Sequence, residues 1–276
     1  MSQYKELFNI TEKYINEGNW ETAYELVKEG DQHGDCNATG VLGLFYLFGL
    51  GIPKDVETGM KLLEKAIFAG CTDAVDKLGT MYITGKIVPK NEHRAFSIFL
   101  YGAEMGDTLA MGKVSSMYLD GIGTPADEQK ALEWGQKAAE SGNIVGIQTL
   151  ISIYLKESSA YYDPKMAAYW MREDLKIEPE NTFFMYSLAT CLSNPWRIYS
   201  NLEPDEAMLR EAYMLACKGA ALGDMDCHIL LCWFYETGHF VKKDLRTAYQ
   251  YLKIAADHGH EVAVKYLKQY RKIVIW

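Results

Sequence analysis

The chain has 276 residues, 49% of them hydrophobic, and a formal net charge of −9. That apolar share excludes a disordered chain, and the length suits two ordinary domains or one extended repeat array. The acidic balance argues against a nucleic-acid or anionic-membrane partner, because both would repel it.

Segments Gln3 to Glu17 and Trp20 to His33 read as an N-terminal partial repeat spanning residues 1–33. Charge appears in the first turns and no apolar signal core precedes it, so a cytoplasmic protein is expected. Six glycines, Gly34, Gly70, Gly106, Gly142, Gly223 and Gly259, then fall on a 36-residue ruler once a disturbed stretch between Gly142 and Gly223 is allowed for. A fixed period of that length is the signature of a helical solenoid.

With each ruler glycine as column zero, column four holds Ala38, Ala74, Ala110, Gly146, Cys227 and Ala263. Column eight holds Leu42, Leu78, Val114, Leu150, Leu231 and Leu267, and column twelve Tyr46, Tyr82, Tyr118, Tyr154 and Tyr235. Spacing by fours places these on one face of a first helix, the small residues admitting a neighbouring backbone. Gly49, Gly85, Gly121 and Gly238 suit the left-handed residue that ends this helix, and Pro53, Pro89 and Pro125 prevent its continuation.

Asp55, Asn91, Asp127, Asp163 and Asp244 then stand where a side-chain oxygen caps a second helix, with Pro164 at the position that tolerates proline best. That helix carries Ala95, Ala131, Ala167 and Ala248, with Leu62, Ile98, Trp134, Trp170 and Tyr251 three residues later. Ala66, Gly102, Ala138 and Ala255 follow four residues further on. The uncharged run from Cys36 to Pro53 approaches the length of a membrane span. Its glycines and tyrosine recur in register in charged copies, so it reads as a repeat helix without membrane insertion.

Four repeats thus occupy residues 34–177. Residues 178–222 read as an irregular repeat, in which Glu178-Pro179 replaces a ruler glycine and an insertion near 192–205 precedes a helix from Asp205 to Leu222. In the fourth repeat Glu157-Ser158-Ser159-Ala160 replaces the glycine turn. One more repeat covers 223–259, and 260–276 is a capping helix. Its apolar end, Ile273-Val274-Ile275-Trp276, is expected to dock as the cap, with a contact to another subunit or partner as the alternative. The whole of 1–276 reads as a single solenoid domain.

The strings Leu42-Gly43-Leu44-Phe45-Tyr46, Gly49-Leu50-Gly51-Ile52-Pro53-Lys54-Asp55 and Lys137-Ala138-Ala139-Glu140-Ser141-Gly142-Asn143 resemble the Sel-one-like repeat, a relative of the tetratricopeptide repeat. The resemblance covers nearly the whole chain and rests on several columns agreeing across at least four copies. It implies an all-α, right-handed alpha/alpha superhelix of helix-turn-helix repeats of about 36 residues. It also implies a scaffold or adaptor role, with no catalytic residues and no cofactor.

With columns four, eight, eleven, twelve and fifteen buried, columns three, six, seven, ten and fourteen face outward and vary between copies. Lys77, Thr80, Lys113, Ser116 and Gln148, together with Ser152 and Trp233, are expected to line a groove for a peptide or protein segment. Ordinary solvated helix faces are the alternative. Trp196, Arg197 and Tyr199 of the insertion form a second candidate, being residue types enriched at the energetic centres of interfaces. The alternative there is that Trp196 plugs the gap in the disturbed repeat.

The six cysteines form no C-x-x-C pair, so neither a disulfide framework nor a zinc cluster is expected. His228 and Cys232, four apart, lack further ligands, and no metal is expected. The expectation is a non-enzymatic adaptor, monomeric or a weak homodimer, with no nucleic acid and with a protein or peptide partner held, as the resemblance implies, on the concave surface lined by the first helices. The alternatives are an immunity-type inhibitor that occludes a toxic enzyme, and a small-ligand protein or enzyme with its site near the insertion.

Overall fold

The computed structural model describes residues 13–194 and 204–273, all of it helix and link with no strand among the described residues. The chain divides into two compact units, residues 1–149 and 150–276. The N-terminal segment before residue 13, the insertion residues Trp196, Arg197 and Tyr199, and Val274 to Trp276 lie outside the described residues.

The first unit contains α1 (Trp20–Gln32), α2 (Cys36–Phe48), α3 (Val56–Phe68), α4 (Thr72–Thr84), α5 (Glu92–Glu104), α6 (Thr108–Asp120), α7 (Glu128–Glu140) and the start of α8 (Ile144–Leu155). Helices of 13 residues, about 20 Å long at 1.5 Å per residue, alternate with a long and a short link. From α2 to α4 the links are 49–55 and 69–71, and this alternation produces the 36-residue period.

The short link is shaped by its ruler glycine. At Gly70 φ is +95°, the Gly70 N–H donates to the Ile67 carbonyl at 2.9 Å, and the Cys71 N–H donates to the Ala66 carbonyl at 3.0 Å. The last carbonyls of α3 are satisfied by this left-handed turn. No side chain crowds the site closely, the nearest atom to an added Cβ being the Met105 methyl at 3.9 Å. The glycine is therefore required by the backbone.

The long link is held at both ends. Gly49 closes α2 in the left-handed conformation, its N–H donating to the Phe45 carbonyl at 2.8 Å. The Asp55 N–H donates to the carbonyl of the column-twelve Tyr46 at 2.9 Å, while the Asp55 carboxylate accepts from the Thr58 amide and caps α3. The same backbone bond joins Asn91 to Tyr82, Asp127 to Tyr118, Asp163 to Tyr154 and Asp244 to Tyr235. Each cap residue thus fixes both the start of its own helix and the return path of the chain.

Within a pair the helices approach to backbone contact. A Cβ on Gly43 would lie 2.9 Å from the Gly59 carbonyl oxygen, and one on Gly59 would lie 2.7 Å from the Gly43 oxygen. Columns four, eight and eleven are buried as the pattern requires, for example Ala74, Leu78 and Met81 on α4. Ion pairs tie successive repeats: Lys65 to Asp31 at 2.6 Å and Lys113 to Asp76 at 3.0 Å.

The second unit contains the end of α8, then α9 (Pro164–Ile177), α10 (Thr182–Ser193), α11 (Glu206–Ala221), α12 (Met225–Thr237), α13 (Leu245–Asp257) and α14 (Glu261–Ile273). Where the glycine turn is replaced, Ser159 is buried and its Oγ accepts from the Tyr161 N–H at 3.0 Å. The Asp163 to Tyr154 bond survives at 2.9 Å, so the altered loop starts α9 as the others start their second helices. Where Glu178-Pro179 replaces the ruler glycine, no left-handed residue appears, and Asn181 caps α10 by accepting from the Phe184 amide. The helix expected from Asp205 to Leu222 is α11, with those two residues as its caps.

α14 covers α13 with Ala263 and Tyr270 buried, and the Tyr266 hydroxyl donates to Glu236 Oε2 at 2.6 Å. Cys227 and Cys232 are buried thiols in small-residue columns. Burial holds Cys232 protonated, pushed up to about 12. No helix among the described residues is long and apolar enough to cross a membrane, and the uncharged run ends as a helix at Phe48.

Candidate functional site

The outward columns of the first helices form the surface on which the sequence placed its candidates. On α4, Lys77 and Thr80 are exposed. On α6, Lys113 is half-buried: its ammonium pairs with Asp76 and sits 5.0 Å from the centroid of the Phe99 ring. That cation is already engaged in joining α4 to α6. Ser116 is half-buried beside it and Gln148 on α8 is exposed, both in the 1–149 unit.

Ser152 and Trp233 belong to the 150–276 unit. Ser152 is exposed, whereas Trp233 stacks on His239 with centroids 4.9 Å apart and meets Phe234 edge to face. Column seven, expected to face outward, turns inward at Thr149 and at Leu230, both of which are buried.

In the 1–149 unit α2, α3 and α4 line a groove of about 280 Å³. Val41, Leu44 and Leu63 supply apolar walls, Gly40 lines it, and Asp73 and Lys77 stand on its α4 side. The Cys71 thiol also lines it, donating to Asn37 Oδ1 at 3.3 Å, and burial pushes it up to about 11. The thiol is therefore neutral at physiological pH. Sequence reasoning placed Lys77 in its groove and noted Leu44 as a large apolar side chain in an otherwise polar column, but did not bring Val41 and Leu44 together with Lys77. The signal was their spacing with Phe48, at i, i+3 and i+7 on one helix face.

A second cleft of about 330 Å³ lies between α3 and α5, where the exposed Phe68 ring meets Tyr101 edge to face at 5.7 Å beside the Glu64 to Arg94 ion pair.

The histidines serve local structure. His228 Nδ1 bonds the Asp224 carbonyl at 2.8 Å, and His260 Nε2 meets Asp226 at 3.1 Å while Nδ1 accepts from the Ala263 amide. Among the described residues no group of three or more His, Cys, Asp or Glu side chains could hold a metal ion.

One buried group stands outside the pattern. Asp174 lies seven residues after Ala167, in the column that elsewhere holds Ala66, Gly102, Ala138 and Ala255. It has no exposed surface, and neither carboxyl oxygen has a hydrogen-bond partner. Desolvation, with the charge of Glu178 adding to it, raises its pKa to about 6.

A family model of the Sel1 repeat matches residues 39–70, 72–107, 108–143 and 226–260. The unmatched stretch between 143 and 226 is where the glycine turn and a ruler glycine are replaced. No curated protein matches the chain. Among solved structures it is similar to a protective antigen present in uropathogenic Escherichia coli strains displaying an SLR fold. The two share 24% identity and a TM-score of 0.72, over 92% of this chain and 52% of that one. It is also similar to a Sel1 repeat protein from Oxalobacter formigenes, with 23% identity and a TM-score of 0.68 over 87% and 66%. The C-terminal part of a TPR repeat-containing protein from Cytophaga hutchinsonii shares the fold at 11% identity and a TM-score of 0.56, over 94% and 98%. The chain therefore spans about half the length of the first of these and under two thirds of the second. With about half of its residues matched by the repeat model and its helix pairs built on that repeat's turns and caps, the chain belongs to the Sel1 repeat family.

Proposed function

We propose that this chain is a non-enzymatic protein-interaction scaffold that holds a peptide or protein segment against the outward faces of the first helices in the 1–149 unit. The observation that carries the reading is the contrast between columns. Those facing inward are restricted to small or apolar residues, whereas column ten carries the half-buried Leu44 on α2 and the exposed Thr80 on α4, and a groove of about 280 Å³ opens between α2 and α4. Repeat arrays of this kind present extended surfaces whose side chains are free to differ because the fold does not depend on them.

The test is affinity capture from lysate of the source organism with the wild-type chain beside a Lys77→Glu, Thr80→Arg double variant, read by mass spectrometry. Both substitutions are at exposed positions, so the far-UV circular dichroism of the variant should match that of the wild type. A partner held by the wild type and lost by the variant supports the reading. Equal capture by both moves the binding surface elsewhere.

A further inference from the structure

Phe240 stands where the regular long link uses glycine. Gly51 and Gly123, two residues after the glycine that closes a first helix, have φ of +68° and +69°. A Cβ on either would collide with the first residue of the preceding second helix, Trp20 or Glu92. Phe240 follows Gly238 by the same two residues and keeps φ at +61°, whereas Ile87, in that place in the second repeat, has no positive φ. A left-handed backbone disfavours any residue with a Cβ, so a bulky ring held in it is unexplained by the turn itself.

The fold does not hide this ring. Phe240 is 36% exposed, resting on Tyr213 of α11 with centroids 5.5 Å apart, and the Arg210 guanidinium lies 6.0 Å from its centroid. The stacking of His239 on Trp233 ties the same link to α12. Two exposed lysines follow, Lys242 and Lys243, the first in the place of Pro53, Pro89 and Pro125. Asp244 caps α13 and Glu211 pairs with Arg172, and no described carboxylate pairs with Arg210, Lys242 or Lys243. Although the chain carries −9 overall, residues 238–273 hold eight Lys or Arg against three Asp or Glu. Such a surplus attracts the opposite charge over about 8 Å at physiological ionic strength.

We infer that the 238–243 link, with Arg210 of α11, docks an acidic segment of a partner protein. Arg210, Lys242 and Lys243 attract its carboxylates, and the exposed part of the Phe240 ring takes an apolar side chain among them. This surface belongs to the 150–276 unit and does not rest on the reading proposed for the 1–149 unit.

The probes are labelled nonapeptides of glutamate around a central leucine, measured by fluorescence anisotropy on the full chain. Matched sets replace the glutamates by glutamine, or the leucine by serine. The glutamate set should bind about tenfold or more tightly than the glutamine set and should weaken as salt rises. A Lys242→Glu, Lys243→Glu double variant should lose a similar factor. Phe240→Gly restores the residue of the regular links, so it should keep the helical circular dichroism while abolishing the preference for leucine over serine. Should it fail to fold, Phe240→Asn, which also tolerates the left-handed region, reports on the same ring.

Equal binding of the glutamate and glutamine sets, binding undiminished in the double lysine variant, or a leucine preference that survives loss of the Phe240 ring overturns the inference. So does a labelled oligothymidylate bound more tightly than the glutamate set, which would make the surface one for nucleic acid. Loss of peptide binding in the Lys77→Glu, Thr80→Arg variant would move the acidic segment to the other unit and overturn it as well.

Discussion

Replacing Asp174 should stabilise the protein at neutral pH, and the gain should vanish in acid. The folded-state pKa is about 6 against an ordinary value of 3.8, because burial disfavours the charged form and Glu178 adds like charge. For a carboxyl raised in this way, its contribution is most favourable below the unfolded value and is lost as pH rises through the folded one. The wild type should therefore lose stability from this group between pH 3.8 and about 6, then hold level. A shift of this size corresponds to at most about 3 kcal/mol, and relaxation of the structure around the buried charge lowers the expected figure to about 1–2 kcal/mol. The assay is urea denaturation of the wild type, Asp174→Ala and Asp174→Asn at unit steps from pH 4 to 8, followed by tryptophan fluorescence, since Trp170 lies one turn away on α9. Alanine is the residue this column uses in other repeats, and asparagine preserves shape. Taking the difference from wild type cancels the other carboxylates. A difference that stays constant from pH 4 to 8 would refute the reasoning and show Asp174 to be solvated.

Gly70→Ala should cost about 1–2 kcal/mol through its left-handed backbone alone, and Gly70→Asn should recover part of that, as urea midpoints will show. Gly59→Ala should cost about 2–3 kcal/mol because the added carbon meets the Gly43 carbonyl at 2.7 Å, and asparagine should rescue nothing there. Equal responses at the two positions would collapse the distinction between backbone and crowding. Lys113→Met removes a half-exposed ion pair with Asp76 and should lower stability by about 0.5–1 kcal/mol, with the loss shrinking as salt is raised.

The repeating part of the molecule was legible because each column answers to a single constraint. Gly70 must adopt positive φ, Ala74 must admit a helix, and Asp55 must cap, so residue type and period together define each position. The sequence also carried the column of first-helix caps just after the ruler glycine. Asp35, Asp107 and Asp224 accept from the amides that follow them, and Cys71 is the exception with no side-chain cap. The Asp76 to Lys113 pair was less visible. It joins column six of one repeat to column seven of the next, a diagonal that depends on how far successive helices are offset. Lys113 therefore reads as a free anchor in the sequence and is a structural tie in the fold. The groove was hidden for a related reason. Its walls come from α2, α3 and α4, and the glycine that lines it carries the same letter as glycines that serve turns and crossings.

The buried polar groups without partners have a placement that predicts where the second unit opens first. Tyr162 Oη, Trp170 Nε1, both oxygens of Asp174 and Thr190 Oγ1 all fall between residues 162 and 190, and the other described example is Tyr270 Oη. This is also the stretch that the repeat model leaves unmatched. Each unsatisfied buried group costs about 1–3 kcal/mol relative to a satisfied one, so α9 and α10 fold against a penalty that α12 and α13 do not carry. Local opening restores water to those groups and should need less free energy there than across the regular pair. Amide hydrogen exchange at pH 7 should therefore show weaker protection in α9 and α10 than in α12 and α13, although all four helices present buried apolar faces. Asp174→Ala should raise protection in α9 and α10 selectively. Protection equal across the four helices, or a rise in all of them together, would mean that the unit opens only as a whole and that the misfit at Asp174 is shared by every repeat in it.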